Sequence, residues 1–133
     1  MSHPTLRQAT PEDLRFVHSS WHTSHWKTWA HRHIEREVYN VGQDRRIDLA
    51  IARSEVLVAF FPEVPDEVLG WACIESYPEV LHYVYVKGAY RRTGIGTGLV
   101  KNRARTYTHY TDAAGRKFAS SLSLEFNPYK EQK

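Results

Sequence analysis

Tyr90-Arg91-Arg92-Thr93-Gly94-Ile95-Gly96-Thr97-Gly98 breaks the texture of this 133-residue chain: nine residues hold three of its seven glycines. The run from Val80 to Val86 before it is rich in β-formers. Leu99, Val100, Arg103 and Ala104 after it recur at helical spacing. The reading is strand, glycine loop, then a helix ending near Tyr107. Glycines let a backbone turn sharply and approach a ligand closely. The first turn of a helix leaves amide N–H groups unpaired, and such groups bind phosphate oxygens. Arg91 and Arg92 add positive charge at the mouth. The loop lacks the Gly-Lys-Ser/Thr ending of a P-loop. A dinucleotide fingerprint needs a third glycine where Leu99 stands, so that reading is poor too.

Upstream, Glu55–Phe61, Val68–Ile74 and Val80–Val86 read as an antiparallel meander. The turn between the first two carries Pro62 and Pro65. Gly70 marks a bulge or a close approach in the second strand. Alternation along the third places His82 on the face of Val84. Before the meander, Thr5–Ala9 reads as a short strand. Thr10 is then an N-cap, Pro11 sits at the first helical position, and Asp13 reaches back. Leu14, Phe16, Val17 and Trp21 continue that helix to about Trp26. Residues 28–53 form a second helical region that Gly42 is placed to break. Downstream, Thr106–Tyr110 reads as a short strand, Asp112–Ser121 as a helix and Leu122–Phe126 as a last strand.

A chain of 133 residues predicts one domain, 1–133, that buries roughly two-thirds of its unfolded surface. With 41% hydrophobic and 25% charged residues, disorder is excluded. Cys73, the single cysteine, forms no internal disulfide. No apolar run is long enough to span a bilayer, and no signal core follows Met1. A cytoplasmic protein is expected. Charge is segregated: residues 54–86 hold six acids and no Lys or Arg, and residues 87–111 hold six bases and no acid. The basic half suggests a small anionic partner, with nucleic acid a weaker reading.

On the loop and its flanks, the sequence resembles the GNAT superfamily of acetyl-CoA-dependent N-acetyltransferases. The family signature, Gln/Arg-x-x-Gly-x-Gly/Ala after the fourth strand, is matched by Arg91-Arg92-Thr93-Gly94-Ile95-Gly96. Val84 and Val86 in the strand, Tyr90 before the arginines and Gly98-Leu99-Val100 after them also look like the family. So does the order of elements over residues 1–107. The resemblance implies an α+β, three-layer α/β/α fold with a central, mostly antiparallel mixed sheet. It implies transfer of an acetyl group from acetyl-CoA to a primary amine by direct attack. The partner is then a small-molecule or peptide amine, in a monomer or a homodimer.

The resemblance also assigns roles. Backbone amides of Arg91, Arg92, Thr93, Gly94, Ile95, Gly96 and Thr97 bind the CoA pyrophosphate. The backbone of Val84, Tyr85 and Val86 bonds the pantetheine arm as an added strand. A bulge or splay beside that strand exposes an N–H to the thioester oxygen. The basic stretch from Lys87 to Arg105 takes the phosphorylated adenosine end. Base candidates are Glu75, Glu79 and His82. Counting the family's general-acid tyrosine from its Asn puts Thr111 at the Asn and Phe118 at the tyrosine. Phenylalanine has no proton to give, so Tyr107, Tyr110 or Tyr129 stands in, or the thiolate leaves unaided. The first helices line the acceptor cleft in the family, which makes Ser20, Trp21, Ser24 and His25 acceptor-binding candidates. His18, His22 and His25 have metal-compatible spacing, but no nearby acid or Cys completes a set, and no metal is expected. Two other readings stand beside the enzyme: an acyl-CoA-binding module that no longer catalyses, motivated by Phe118, and last a nucleic-acid binder using a helix face of Lys101, Arg103 and Arg105.

Overall fold

The computed structural model describes residues 3–28, 34–76, 79–109 and 112–131. Tyr110, Thr111, Trp29, His31 and His33 lie outside them. The chain runs β1 (Thr5–Gln8), α1 (Pro11–Thr28), α2 (Arg36–Arg53), β2 (Glu55–Phe60), β3 (Gly70–Glu75), β4 (Val80–Val86), α3 (Ile95–Val100), β5 (Thr106–Tyr107), α4 (Ala113–Ser121) and β6 (Glu125–Phe126). Among the described residues, six strands form one sheet in the order β1-β2-β3-β4-β5-β6. The first four are antiparallel neighbours, and β5 and β6 join in parallel. This is the mixed α+β sheet expected from the sequence.

Helices cover both faces. Val17 and Trp21 of α1 and Ile47 and Ala50 of α2 bury against Val56, Val58, Trp71, Cys73 and Tyr83. On the other face Ile95, Leu99 and Val100 of α3 and Ala119 of α4 bury against Ala59, Ala72, Ile74, Leu81 and Tyr107. Strand alternation sorts neighbours to opposite sides. Trp71 is fully buried, and truncating such a side chain to alanine costs about 3–5 kcal/mol.

Local signals hold where they are strong. Thr10 and Asp13 form the expected reciprocal cap: the Thr10 N–H donates to Asp13 Oδ2 at 2.8 Å, and the Asp13 N–H to Thr10 Oγ1 at 3.2 Å. Burial pushes the Asp13 carboxyl up, but its bonds from Arg7 and Thr10 outweigh that and hold it below the ordinary value. Gly70 is a close approach: an added Cβ would meet the Tyr85 carbonyl oxygen at 2.7 Å.

Three expectations are corrected. Gly42 does not interrupt α2, because its site is open and a glycine costs only about 1 kcal/mol of helix propensity. The helix after the loop ends at Val100, not near Tyr107. Lys101 (φ −54°, ψ 130°) and Asn102 (φ 66°) make a tight turn closed by Arg103 N–H to Val100 O at 2.9 Å. That is type II geometry, and asparagine tolerates its left-handed position. Lys101, Arg103 and Arg105 therefore lie beyond the helix and make no helix face. The strands after it are also shorter than the sequence suggests, two residues each.

Candidate active site

The sheet is irregular at one place. Cys73 pairs with Tyr83 and Ile74 with Leu81, so His82 is an extra residue in β4, a β-bulge. The bulge shifts the phase of the strand. Leu81, Val84 and Val86 face α3 and α4, and Tyr83 and Tyr85 face α1 and α2. His82 lines a small cavity with Trp21, His25 and Ala50, so it joins Tyr83's face. Simple alternation had put it with Val84, and the extra residue is the reason it is not there.

The same place is where β4 and β5 part. Their register covers Val80↔Thr106 and Leu81↔Tyr107, followed by Thr108 N–H to Leu81 O at 3.2 Å. Among the described residues, no β5 residue is registered against His82–Val86. Lys87 N–H donates to Leu69 O, so the Lys87 backbone faces β3. By alternation the polar backbone groups of Val84 and Val86 face the opening. One of them is occupied: Arg91 Nε donates to Val86 O at 3.0 Å.

The throat of the opening is aromatic and imidazole-rich. The His109 ring meets Tyr83 at 4.7 Å and Tyr107 at 5.7 Å between centroids. Its Nδ1 is buried with no hydrogen-bond partner among the described residues. Burial, with His25 nearby, pushes the imidazole down to about 3, so it is neutral near pH 7. Trp21 stacks on Tyr83 at 5.3 Å and 9°. Burial pushes the Tyr83 phenol up to about 12. A cavity of about 20 Å³ behind these rings is lined by His25, Gln43, Arg46, His82, Thr108 and His109.

At the far end of β4 the chain passes through a 3-10 turn, Gly88–Tyr90, into the glycine loop. Gly94 caps α3 with φ 89°, a conformation natural to glycine. Arg91 to Gly94 and Thr97 are exposed. Gly96 is close to α4: an added Cβ would stand 3.2 Å from the Phe118 ring and 3.6 Å from Val86 Cγ2. A strand edge released from its neighbour thus leads directly to a glycine-capped helix start.

Residues 18–117 match the acetyltransferase (GNAT) family. The chain belongs to the GNAT acetyltransferase family. Solved structures agree on the fold of this GNAT domain. An acetyltransferase of Clostridium difficile 630, described as possible, superposes with TM-score 0.59 at 15% identity, over 93% of this chain and 91% of its own. The PaiA N-acetyltransferase of Thermoplasma acidophilum, solved in complex with coenzyme A, gives TM-score 0.59 at 20% identity, over 90% and 88%. AAC(6')-Iy, in complex with a CoA bisubstrate analogue, gives 0.52 at 13%, over 93% and 92%. No curated protein matches the sequence.

The GNAT fold distributes the candidate site residues unevenly, and their surroundings narrow what each can do. Glu75 and His82 meet: His82 Nε2 lies 3.0 Å from Glu75 Oε1, with both side chains buried. Glu79 precedes β4 at the end away from the glycine loop and pairs with Arg105 at 2.6 Å, beside a separate cavity of about 380 Å³ that Lys101 also lines. The basic stretch is therefore split, with Lys87, Arg91 and Arg92 near the loop and Lys101 and Arg105 at the other end. Tyr107 is buried between His109 and Phe126, and Tyr129 is exposed. Among the acceptor candidates, Trp21 and His25 are core residues. The Ser20 hydroxyl accepts from Trp71 Nε1 at 2.8 Å, and Ser24 Oγ bonds the Tyr83 hydroxyl at 2.8 Å. Each holds α1 to the sheet.

The histidine face of α1 does meet acids, supplied by α2. His22 Nε2 lies 3.3 Å from Asp44 Oδ1, and His18 Nε2 lies 3.5 Å from Asp48 Oδ1. Among the described residues, however, no three His, Cys, Asp or Glu side chains are grouped so as to hold a metal ion. Cys73 is buried, and burial pushes its thiol up to about 12. No helix among the described residues is long and apolar enough to cross a membrane. Thr108 and His109 are the throat residues that sequence reasoning missed. The sequence reading places both inside a strand, and no local signal sets them apart.

Proposed function

We propose that this GNAT protein moves an acetyl group from acetyl-CoA to a primary amine of a small molecule or peptide. The observation that carries this reading is the opening between β4 and β5, with a bulge at its apex and the Gly94–Gly96 loop at its mouth. Backbone groups of Val84 and Val86 suit an extended amide-bearing arm, which would add to β4 like a strand. First-turn amides from Arg91 to Thr97 suit a pyrophosphate, and exposed Arg91 and Arg92 suit its charge. A backbone amide at the bulge would suit the thioester oxygen as negative charge develops on it.

The amine nitrogen attacks the carbonyl carbon. The C–N bond forms, the C–S bond breaks, the ammonium proton passes to solvent and CoA departs as thiolate. Glu75 and His82 spend polar atoms on each other, so neither is set to take a proton from the amine directly. A thiolate is a tolerable leaving group, since thiols ionise near pH 8.5. The absence of a phenol at Phe118 is therefore compatible with turnover. Phe118 also supports a second reading, an acyl-CoA-binding module without catalysis.

Isothermal titration with acetyl-CoA tests the site. Wild-type protein is expected to bind, and Gly94→Asp or Gly96→Asp to weaken binding at least tenfold, because the first adds a carboxylate beside the proposed phosphate site and the second, in the first turn of α3, drives one against Phe118. No binding at millimolar acetyl-CoA would overturn both readings. Turnover on a panel of amines separates them, since an inert panel with intact binding favours the module.

A further inference from the structure

Three strands are joined by a buried polar row at the apex of the opening. Glu75 ends β3, His82 is the bulge residue of β4, and Thr108 follows β5. His82 Nε2 is 3.0 Å from Glu75 Oε1, and His82 Nδ1 is 3.1 Å from Thr108 Oγ1. Their exposures are 2% for His82, 5% for Glu75 and 2% for Thr108. Arg53 Nε of α2 lies 3.6 Å from the same Glu75 oxygen. With Glu75 as a carboxylate, Nε2–H donates to Glu75, and Nδ1 and the Thr108 hydroxyl share the second hydrogen bond.

An acid, an imidazole and a hydroxyl inside a sheet are costly compared with an apolar row of the same shape. This row crosses the ladder where it is irregular: the extra β4 residue is His82 itself, and the β4–β5 pairing ends one residue earlier. A bulge disrupts the ladder locally and bends its strand. Here the side chain of the bulge residue is tied on both sides, to β3 and to β5.

We propose that Glu75, His82 and Thr108 form a positioning strut that holds the bulge and sets the spread of β4 from β5. The backbone at the apex of the opening is thereby held where the thioester carbonyl would lie. The proposal rests on the acetyl-transfer reading and adds to it. None of the three touches substrate. They act through the backbone of β4, so the strut affects the chemical step and not cofactor affinity. Preorganised donors are sensitive to placement, and losing one costs about 10²–10³-fold in kcat.

The decisive variant is Thr108→Val, which keeps the shape and removes the hydroxyl. It is expected to lower kcat at least tenfold while the Kd for CoA stays within twofold, and Thr108→Ser is expected to restore most of kcat. Amide hydrogen exchange should quicken at His82 and Tyr83 and stay unchanged at Val58 and Ala72. Glu75→Gln, which preserves shape and weakens the acceptor, is expected to show the same split if Thr108→Val does not fold. Wild-type kcat in Thr108→Val overturns the strut, as does loss of CoA affinity in step with kcat. If the wild-type protein binds CoA but acetylates no amine, the acetyl-transfer reading fails instead, and the strut's catalytic purpose falls with it.

Discussion

Phe118 puts a hydrocarbon edge where the resemblance leads one to expect a phenol. Its ring lies against the first turn of α3, with Cζ 3.6 Å from where a Gly96 Cβ would stand. That places position 118 beside the proposed cofactor site rather than deep in the core. Phe118→Tyr is expected to raise kcat about tenfold or more, since a well-placed general acid contributes roughly 10²–10⁴-fold. Steady-state kinetics with a saturating amine checks this, and an unchanged kcat would show that thiolate departure does not limit turnover. Phe118 is found by counting seven residues from Thr111, where the resemblance puts the family's Asn. Gly94 is equally legible, and its φ of 89° is what the glycine allows. His109 is not. Nothing local distinguishes a histidine in a surface turn from one whose ring is enclosed by Tyr83 and Tyr107.

Helix and strand boundaries follow chemistry acting within a few residues. The Thr10–Asp13 cap is legible for that reason, and so is Asp112, which caps α4 by accepting from the Gly115 N–H at 2.9 Å. The other end of α4 carries a Schellman motif. Leu124 N–H donates to Ala119 O at 2.9 Å and Ser123 N–H to Ser120 O at 3.0 Å, with Ser123 at φ 58°. Serine in that left-handed position costs about 1 kcal/mol relative to glycine. Ser123→Gly is therefore expected to stabilise the protein by about 0.5–1 kcal/mol, read as a higher urea midpoint at unchanged m-value. A lower midpoint would sink the assignment. The end of α3 is misread from sequence because Leu99, Val100, Arg103 and Ala104 keep a helical period straight through a turn. Asn102 is the overlooked signal.

Across the molecule, acid should act through the imidazole of His109, whose Nδ1 is buried. Folding holds it at about 3, against an ordinary value of 6.5. Between those two pH values the unfolded chain takes up a proton that the folded chain does not, so stability falls as pH drops from 6.5 toward 3. Asp13 adds a loss of the same sign at lower pH, because its depressed carboxyl stabilises the fold only while ionised. His109→Gln is expected to lose less stability than wild type between pH 7 and pH 4 in urea titrations. Equal losses would refute the role given to His109. The sequence alone determined the succession of strand, glycine loop and helix start from Val80, the caps, the order of the elements and the family resemblance. Those rest on periodicity, φ preference and hydrogen bonds made within a few residues. Only the tertiary structure decided the bulge at His82, the parting of β4 from β5 and the meeting of Glu75, His82, Thr108 and His109. Those depend on register between strands, where one extra residue turns every following side chain to the other face. A single sequence carries no local record of its partner strand's phase.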